Sequence, residues 1–201
     1  MAGLFSLEEG KELVRLARKS IEYYSATGSL LRENAVNDKF AKECGVFVTA
    51  KGFPGRELRG CIGFPYAIKP LWDSIIQVAV EAGFHDPRFP PLMAEELEKI
   101  VIEISVLTKP EEITGEKKEI LEKIKIGRDG LIVQKSGRSG LLLPQVAVDE
   151  KWNPEEFVRY CCRKASLPES AWQSRETKIF KFQAQIFHEK TPNGNIAEEK
   201  N

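Results

Sequence analysis

An α+β fold, with helices set beside mostly antiparallel hairpins, is what three observations on this chain predict. Runs with helical periodicity alternate with short strand-like runs closed by turn residues. One pattern, hairpin then helix then strand, occurs twice, over about residues 45–107 and 130–187. The chain is also long enough, at 201 residues with 42% hydrophobic and 30% charged, to bury a real core without disulfides or metal.

The first helix has a clear start. Ser6 with Glu9 three residues on is a capping-box pair. Leu13, Leu16, Ala17, Ile21 and Tyr24 then follow helical spacing, and Thr27-Gly28 ends it. Asp38 to Glu43 reads as a helical turn. Gly45 to Lys51 is rich in β-branched and aromatic residues and reads as a strand. Gly52-Phe53-Pro54-Gly55 is turn chemistry, and Glu57 to Ile62 is the returning arm. Leu71, Ile75, Val78, Ala79 and Ala82, widened by Trp72, Ile76 and Val80, predict a mostly buried helix that stops near Gly83. His85-Asp86-Pro87-Arg88-Phe89-Pro90-Pro91 is a stiff loop, because each proline fixes one φ. Ile100 to Leu107 alternates, with Glu103 and Ser105 opposite an apolar face.

The second set begins at Gly130, offset by 85 from Gly45, and Ser139 to Leu143 is its returning arm. Asn153-Pro154 with Glu156 starts a capped helix whose buried stripe is Phe157, Val158, Cys161, Cys162 and Ala165. Lys178 to Phe187 is the third strand, and the polar tail from Thr191 is expected to fray. Few identities relate the two sets, so the repeat rests on pattern; the halves could share one sheet or form two lobes.

Thirty basic residues balance thirty acidic ones. That balance argues against bulk electrostatic binding to nucleic acid or to an anionic membrane. No apolar run approaches the ~18 residues of a membrane span, and the first ten residues lack signal-peptide character. Four cysteines at 44, 61, 161 and 162, with no Cys-x-x-Cys and two histidines, argue against a zinc site and for reduced thiols in a cytoplasmic protein. Nothing in the chain points to a cofactor.

The most informative segment is Leu58-Arg59-Gly60-Cys61-Ile62-Gly63. Glycine in a strand interior marks a bulge or a close backbone approach. A guanidinium beside a thiol favours the thiolate, the reactive form. Cys61 is therefore the candidate nucleophile, expected to be accessible with a depressed pKa; the plain alternative is a packed thiol between two bulge glycines. His85 is its obvious base, 24 residues on, if the two meet. Arg59 and Arg88 have the planar fork that grips carboxylate or phosphate. Asp86 and Arg88 could instead pin the proline loop to itself. Leu143-Pro144-Gln145-Val146 reads as the second hairpin's counterpart of Cys61-Ile62-Gly63, which makes Gln145 a candidate ligand contact beside Gly60 and Gly63. Cys161 and Cys162 read as core, Cys44 carries no signal, and His188 reads as solvated.

These three segments, Leu58 to Gly63, Asp86-Pro87-Arg88-Phe89-Pro90-Pro91 and Leu142-Leu143-Pro144-Gln145-Val146, together resemble the AMMECR-one domain family, named for a human gene product of the AMME syndrome chromosomal region. The resemblance covers about residues 7–188 and leaves 189–201 as a polar tail. It implies a single α+β domain of two interleaved, intimately joined lobes, a cleft near the six-residue segment, and association with Memo-like or radical-SAM proteins. It implies no assigned reaction. His85 lies just before the matching segment, which leaves Cys61, Arg59, Asp86 and Arg88 as the motif-supported set.

Two functional readings follow. One is an enzyme, with Cys61 as nucleophile or carrier, Asp86 beside it, and Arg59 and Arg88 holding a small anionic substrate. The other is a binding module for RNA, a modified nucleotide or a protein partner in a modification pathway, with Cys61 as packing.

Overall fold

The computed structural model describes residues 4–199. In chain order its named elements are α1 (Leu7–Thr27), β1 (Gly45–Gly52), β2 (Leu58–Phe64), α2 (Leu71–Val80), β3 (Ile100–Leu107), β4 (Glu111–Glu112), α3 (Lys117–Glu122), β5 (Gly130–Lys135), β6 (Arg138–Leu142), α4 (Pro144–Asp149), α5 (Pro154–Lys164), β7 (Lys178–Phe182), β8 (Ala184–Glu189) and β9 (Ile196–Glu199). They form two compact units, one made by the chain up to Leu107 with the segment from Gln185 on, the other by Thr108–Ala184. The fold is α+β, with two mostly antiparallel sheets flanked by helices.

In the first unit the strand order is β2-β1-β3-β8-β9. One face of this sheet is apolar by the period-2 rule: Val46, Val48 and Ala50 of β1, Ile102 and Ile104 of β3, and Phe187 of β8. Against it lie Leu13, Ala17 and Ile21 of α1 and Ile75, Val78 and Ala79 of α2. Helix α1 keeps both of its predicted ends. Ser6 Oγ accepts from Glu9 N–H, the Glu9 carboxylate accepts from Ser6 N–H at 2.7 Å, and Gly28 closes the helix at φ 67° with its N–H on Tyr24 C=O. Within this core Arg18 of α1 meets Glu189 of β8; the two are 4% and 3% exposed.

In the second unit the order is β4-β7-β5-β6. Phe157, Val158, Cys161 and Cys162 of α5 pack on Leu131, Val133 and Ile179. Asn153 caps α5 by accepting from Glu155 and Glu156 N–H, with Pro154 at the first helical position. The hairpin–helix–strand pattern therefore recurs as three adjacent strands in each unit, β2-β1-β3 and β6-β5-β7.

The structure corrects three sequence expectations. Lys178 to Phe187 is two strands in two sheets, β7 and β8, broken at Gln183, whose N–H is taken by Thr108 Oγ1 at 2.8 Å. The alternation hid the break because Phe182, Ala184 and Ile186 keep one parity across it and are all buried. The tail does not fray at Thr191. A turn closed by Lys190 N–H on Asn195 C=O leads into β9, and Ile196 joins the core. Finally, Leu143-Pro144-Gln145-Val146 is not the counterpart of Cys61-Ile62-Gly63. The latter lies inside β2, whereas β6 has ended at Leu142 and Pro144 starts α4, proline being suited to a helix start.

Candidate functional site

β2 is an edge strand, and an edge leaves N–H and C=O groups without a neighbouring strand. Cys61 stands opposite Thr49 of β1. Its outward N–H and C=O are met by two side chains from the loop after α2. Asp86 Oδ2 accepts from Cys61 N–H at 2.9 Å, and Arg88 Nη2 donates to Cys61 C=O at 2.9 Å. Asp86 and Arg88 thus supply the donor–acceptor pair that a further strand would have offered. They are joined to each other as well: Asp86 accepts from Arg88 N–H at 3.1 Å, from Nε at 2.9 Å and from Nη2 at 2.6 Å. Phe89 N–H on Asp86 C=O and Leu92 N–H on Gly83 C=O close the proline loop.

Arg59 is committed in the same way. Its Nε and Nη2 bond the two Glu96 oxygens at 2.8 and 3.0 Å, a bidentate pair, and Nη1 donates to Pro90 C=O at 2.8 Å. Glu96 also accepts from Met93 N–H at 2.8 Å, which fixes the 3₁₀ turn Ala94–Lys99. The Arg59 guanidinium holds the Glu96 carboxyl below its ordinary range.

The glycines serve internal approach. A Cβ on Gly60 would lie 2.0 Å from Ala82 C=O, on the π-helical turn Glu81–His85 that ends α2. A Cβ on Gly63 would lie 2.4 Å from the Phe47 ring. In the second unit Gly140 of β6 has the same relation to α5, where a Cβ would lie 2.4 Å from Ala165 N. Gly140 is thus the structural parallel of Gly60 that the sequence pattern did not single out.

The sulfur of Cys61 accepts from Thr49 Oγ1 at 3.3 Å and is part-buried. Burial pushes its thiol pKa up, against the pull of the Thr49 hydroxyl and of Arg88. The expected depressed pKa is therefore corrected. Arg88 is already neutralised by Asp86, and Asp86 and Glu103 both oppose a thiolate. The two ring nitrogens of His85 have partners other than Cys61: Nε2 lies 3.4 Å from Tyr24 Oη and Nδ1 3.3 Å from Glu81 Oε2. Cys161 and Cys162 are core residues, the Cys161 thiol pushed up to about 12 by burial. Gln145 belongs to the second unit, on the first turn of α4. Its Oε1 is buried and has no hydrogen-bond partner among the described residues.

Sequence reasoning missed Thr49, Glu96 and Glu103, which reach the motif only through strand pairing and loop return. It also read His188 as solvated, whereas its Nδ1 is buried; β9 packs beside β8 at that point.

Comparison with known proteins agrees with this architecture. The AMMECR1 family model matches residues 14–187. The chain belongs to the AMMECR1 family. It is 48% identical over 200 residues to Protein MK0488 of Methanopyrus kandleri, covering 98% of this chain and 97% of that one. To Protein MJ0810 of Methanocaldococcus jannaschii it is 46% identical over 198 residues, covering 98% of each. The crystal structure of the uncharacterized protein PH0010 from Pyrococcus horikoshii superposes with a TM-score of 0.95 at 45% identity, over 99% of this chain and 100% of that one. None of these AMMECR1 relatives carries a reaction in its name. Among the described residues no helix is long and apolar enough to cross a membrane.

The clamp has an acid signature. Asp86 is 4% exposed, and its bonds to Arg88, helped by the N–H groups of Cys61 and Arg88, lower its pKa to about 2 against burial. A folded-state value below the unfolded one gives stability that is full above the ordinary carboxylate range and lost as pH falls toward 2. The stability difference between wild type and Asp86→Asn, measured by urea unfolding, is expected to shrink by about 2 kcal/mol between pH 6 and pH 2. A constant difference would show that the ionised carboxylate does not hold the loop.

Proposed function

We propose that this AMMECR1-family chain is a non-catalytic binding module for a protein partner in a modification pathway. The observation that carries this reading is the closure of the motif on itself. Arg59 is spent on Glu96 and on a loop carbonyl, Arg88 on Asp86 and Cys61 C=O, and both glycines on backbone approach. Burial also pushes the Cys61 thiol pKa up, away from the reactive thiolate. Such a segment shapes a rigid surface; it offers no free guanidinium fork for an anion. The balanced charge favours a protein over RNA. So do the exposed apolar side chains of Leu58, next to Arg59, and Met93, whose N–H shares the Glu96 carboxylate. The family resemblance suggests Memo-like or radical-SAM proteins as the partner class.

A cysteine-dependent enzyme acting on a small anion is the competing reading. It is favoured by the partial exposure of Cys61 and by the pull of Arg88 on its thiol. Alkylation of each cysteine in the native protein, followed by mass spectrometry across pH, separates the two. The binding reading expects Cys61 to react with a midpoint at or above the ~8.5 of a free thiol. Rapid reaction of Cys61 alone below pH 7 would sink it and restore the enzyme.

A further inference from the structure

Away from the motif loop, on the same sheet, three side chains on three adjacent strands converge. These are Glu103 of β3, His188 of β8 and Glu199 of β9. One donor atom from each lies within 4.8 Å of the others. Ligands about 2.0–2.2 Å from a divalent ion sit about 3–4 Å apart, so the three are spaced to close on one ion with small side-chain adjustments. The backbone sets this spacing. His188 pairs with Ala197, which puts Glu199 two residues along β9 on the same sheet face. The face is opposite that of Phe187 and Glu189, whose side chains go to the helix side.

A second observation concerns the imidazole itself. His188 Nδ1 is buried and has no hydrogen-bond partner among the described residues. A buried polar nitrogen without a partner in a folded protein asks for an explanation. A metal ion bound through Nδ1 would supply the partner. Glu103 is 5% exposed and fixed by Lys51 Nζ on Oε2 at 2.7 Å, which orients the carboxylate as an outer partner does in built metal sites.

We propose that Glu103, His188 and Glu199 form a binding site for one divalent transition-metal ion of the zinc class. One nitrogen and two carboxylate donors suit Zn²⁺, with solvent completing the coordination. The ion would tie β9, a four-residue edge strand, to the sheet interior. Cys61 is not among the ligands, and the assignment does not rest on the proposed function.

The test uses the full-length chain, stripped with chelator and titrated with Zn²⁺ by calorimetry and with Co²⁺ by visible absorption. Wild type is expected to bind one equivalent, with Co²⁺ bands of nitrogen and oxygen ligation and no thiolate charge-transfer band. Glu199→Gln, at an exposed position where folding is not at stake, and His188→Ala are each expected to weaken binding at least roughly ten-fold. The melting temperature of metal-free Glu199→Gln should match wild type, while its rise on adding Zn²⁺ is lost. Cys61→Ser is expected to bind as wild type does. Absence of one-equivalent binding, unchanged binding in Glu199→Gln, or loss of binding in Cys61→Ser would each overturn the site.

Discussion

Glu189→Ala is expected to destabilise the protein by about 3–5 kcal/mol, the range for removing one partner of a buried ion pair. Arg18 points from α1 into the core with its Nε on Glu189 Oε1 at 3.0 Å. Its Nη2 also donates to Glu189 Oε2, and further bonds from Nη1 and Nη2 go to Leu97 C=O at 2.7 Å and Ile100 C=O at 2.8 Å. Glu189 in turn accepts from Ile102 N–H at 2.9 Å. One carboxylate therefore joins α1 to β3 and β8. Its removal leaves a guanidinium that is 4% exposed and the Ile102 N–H each short of an acceptor. Urea unfolding reads the loss directly. The double variant Arg18→Met/Glu189→Met should recover only part of it, because the Leu97 and Ile100 carbonyls and the Ile102 N–H remain unsatisfied. A single variant within 1 kcal/mol of wild type would show that the first unit does not depend on this pair.

Gly60→Ala should cost at least about 3 kcal/mol, at or beyond the upper end for overpacking, because the obstacle is backbone. The added methyl would sit 2.0 Å from Ala82 C=O and cannot be relieved by rotating a side chain. Relief requires β2 to move from the turn that ends α2, and this separates Cys61 from Asp86 as well. Circular dichroism melting of the variant checks the cost. A nearly unchanged melting temperature would mean that the glycine is not there for strand–helix approach, and the ligand-contact reading of Gly60 would regain force.

Much of the local structure was legible from residue order. The Ser6–Glu9 box, Gly28, the Gly45–Gly52 strand and the Asn153-Pro154 helix start were readable because caps, turns and periodicity act over a few residues. The candidate site was legible only as a set of names. Arg59, Asp86 and Arg88 have the chemistry of anion binding, and no local signal told whether their partners would be a ligand or each other. That was decided by Glu96 returning to Arg59 from 37 residues away and by Cys61 offering an unpaired strand edge to Asp86. Glu103 with His188 was illegible for the same reason, the two being 85 residues apart and brought together by strand order. The break at Gln183 escaped notice because a period-2 pattern reports that a strand has a buried face and not which sheet buries it.

The sequence by itself determined the class of fold, the helix ends, the hairpins and the residues able to do chemistry, since these depend on torsional preference, periodicity and side-chain functional groups. Only the tertiary structure decided that β8 and β9 complete the first sheet, that burial pushes the Cys61 thiol pKa up, and that both motif arginines find partners within the chain. Burial, ion pairing and edge protection arise between segments far apart in the chain, and their energies exist only once those segments meet.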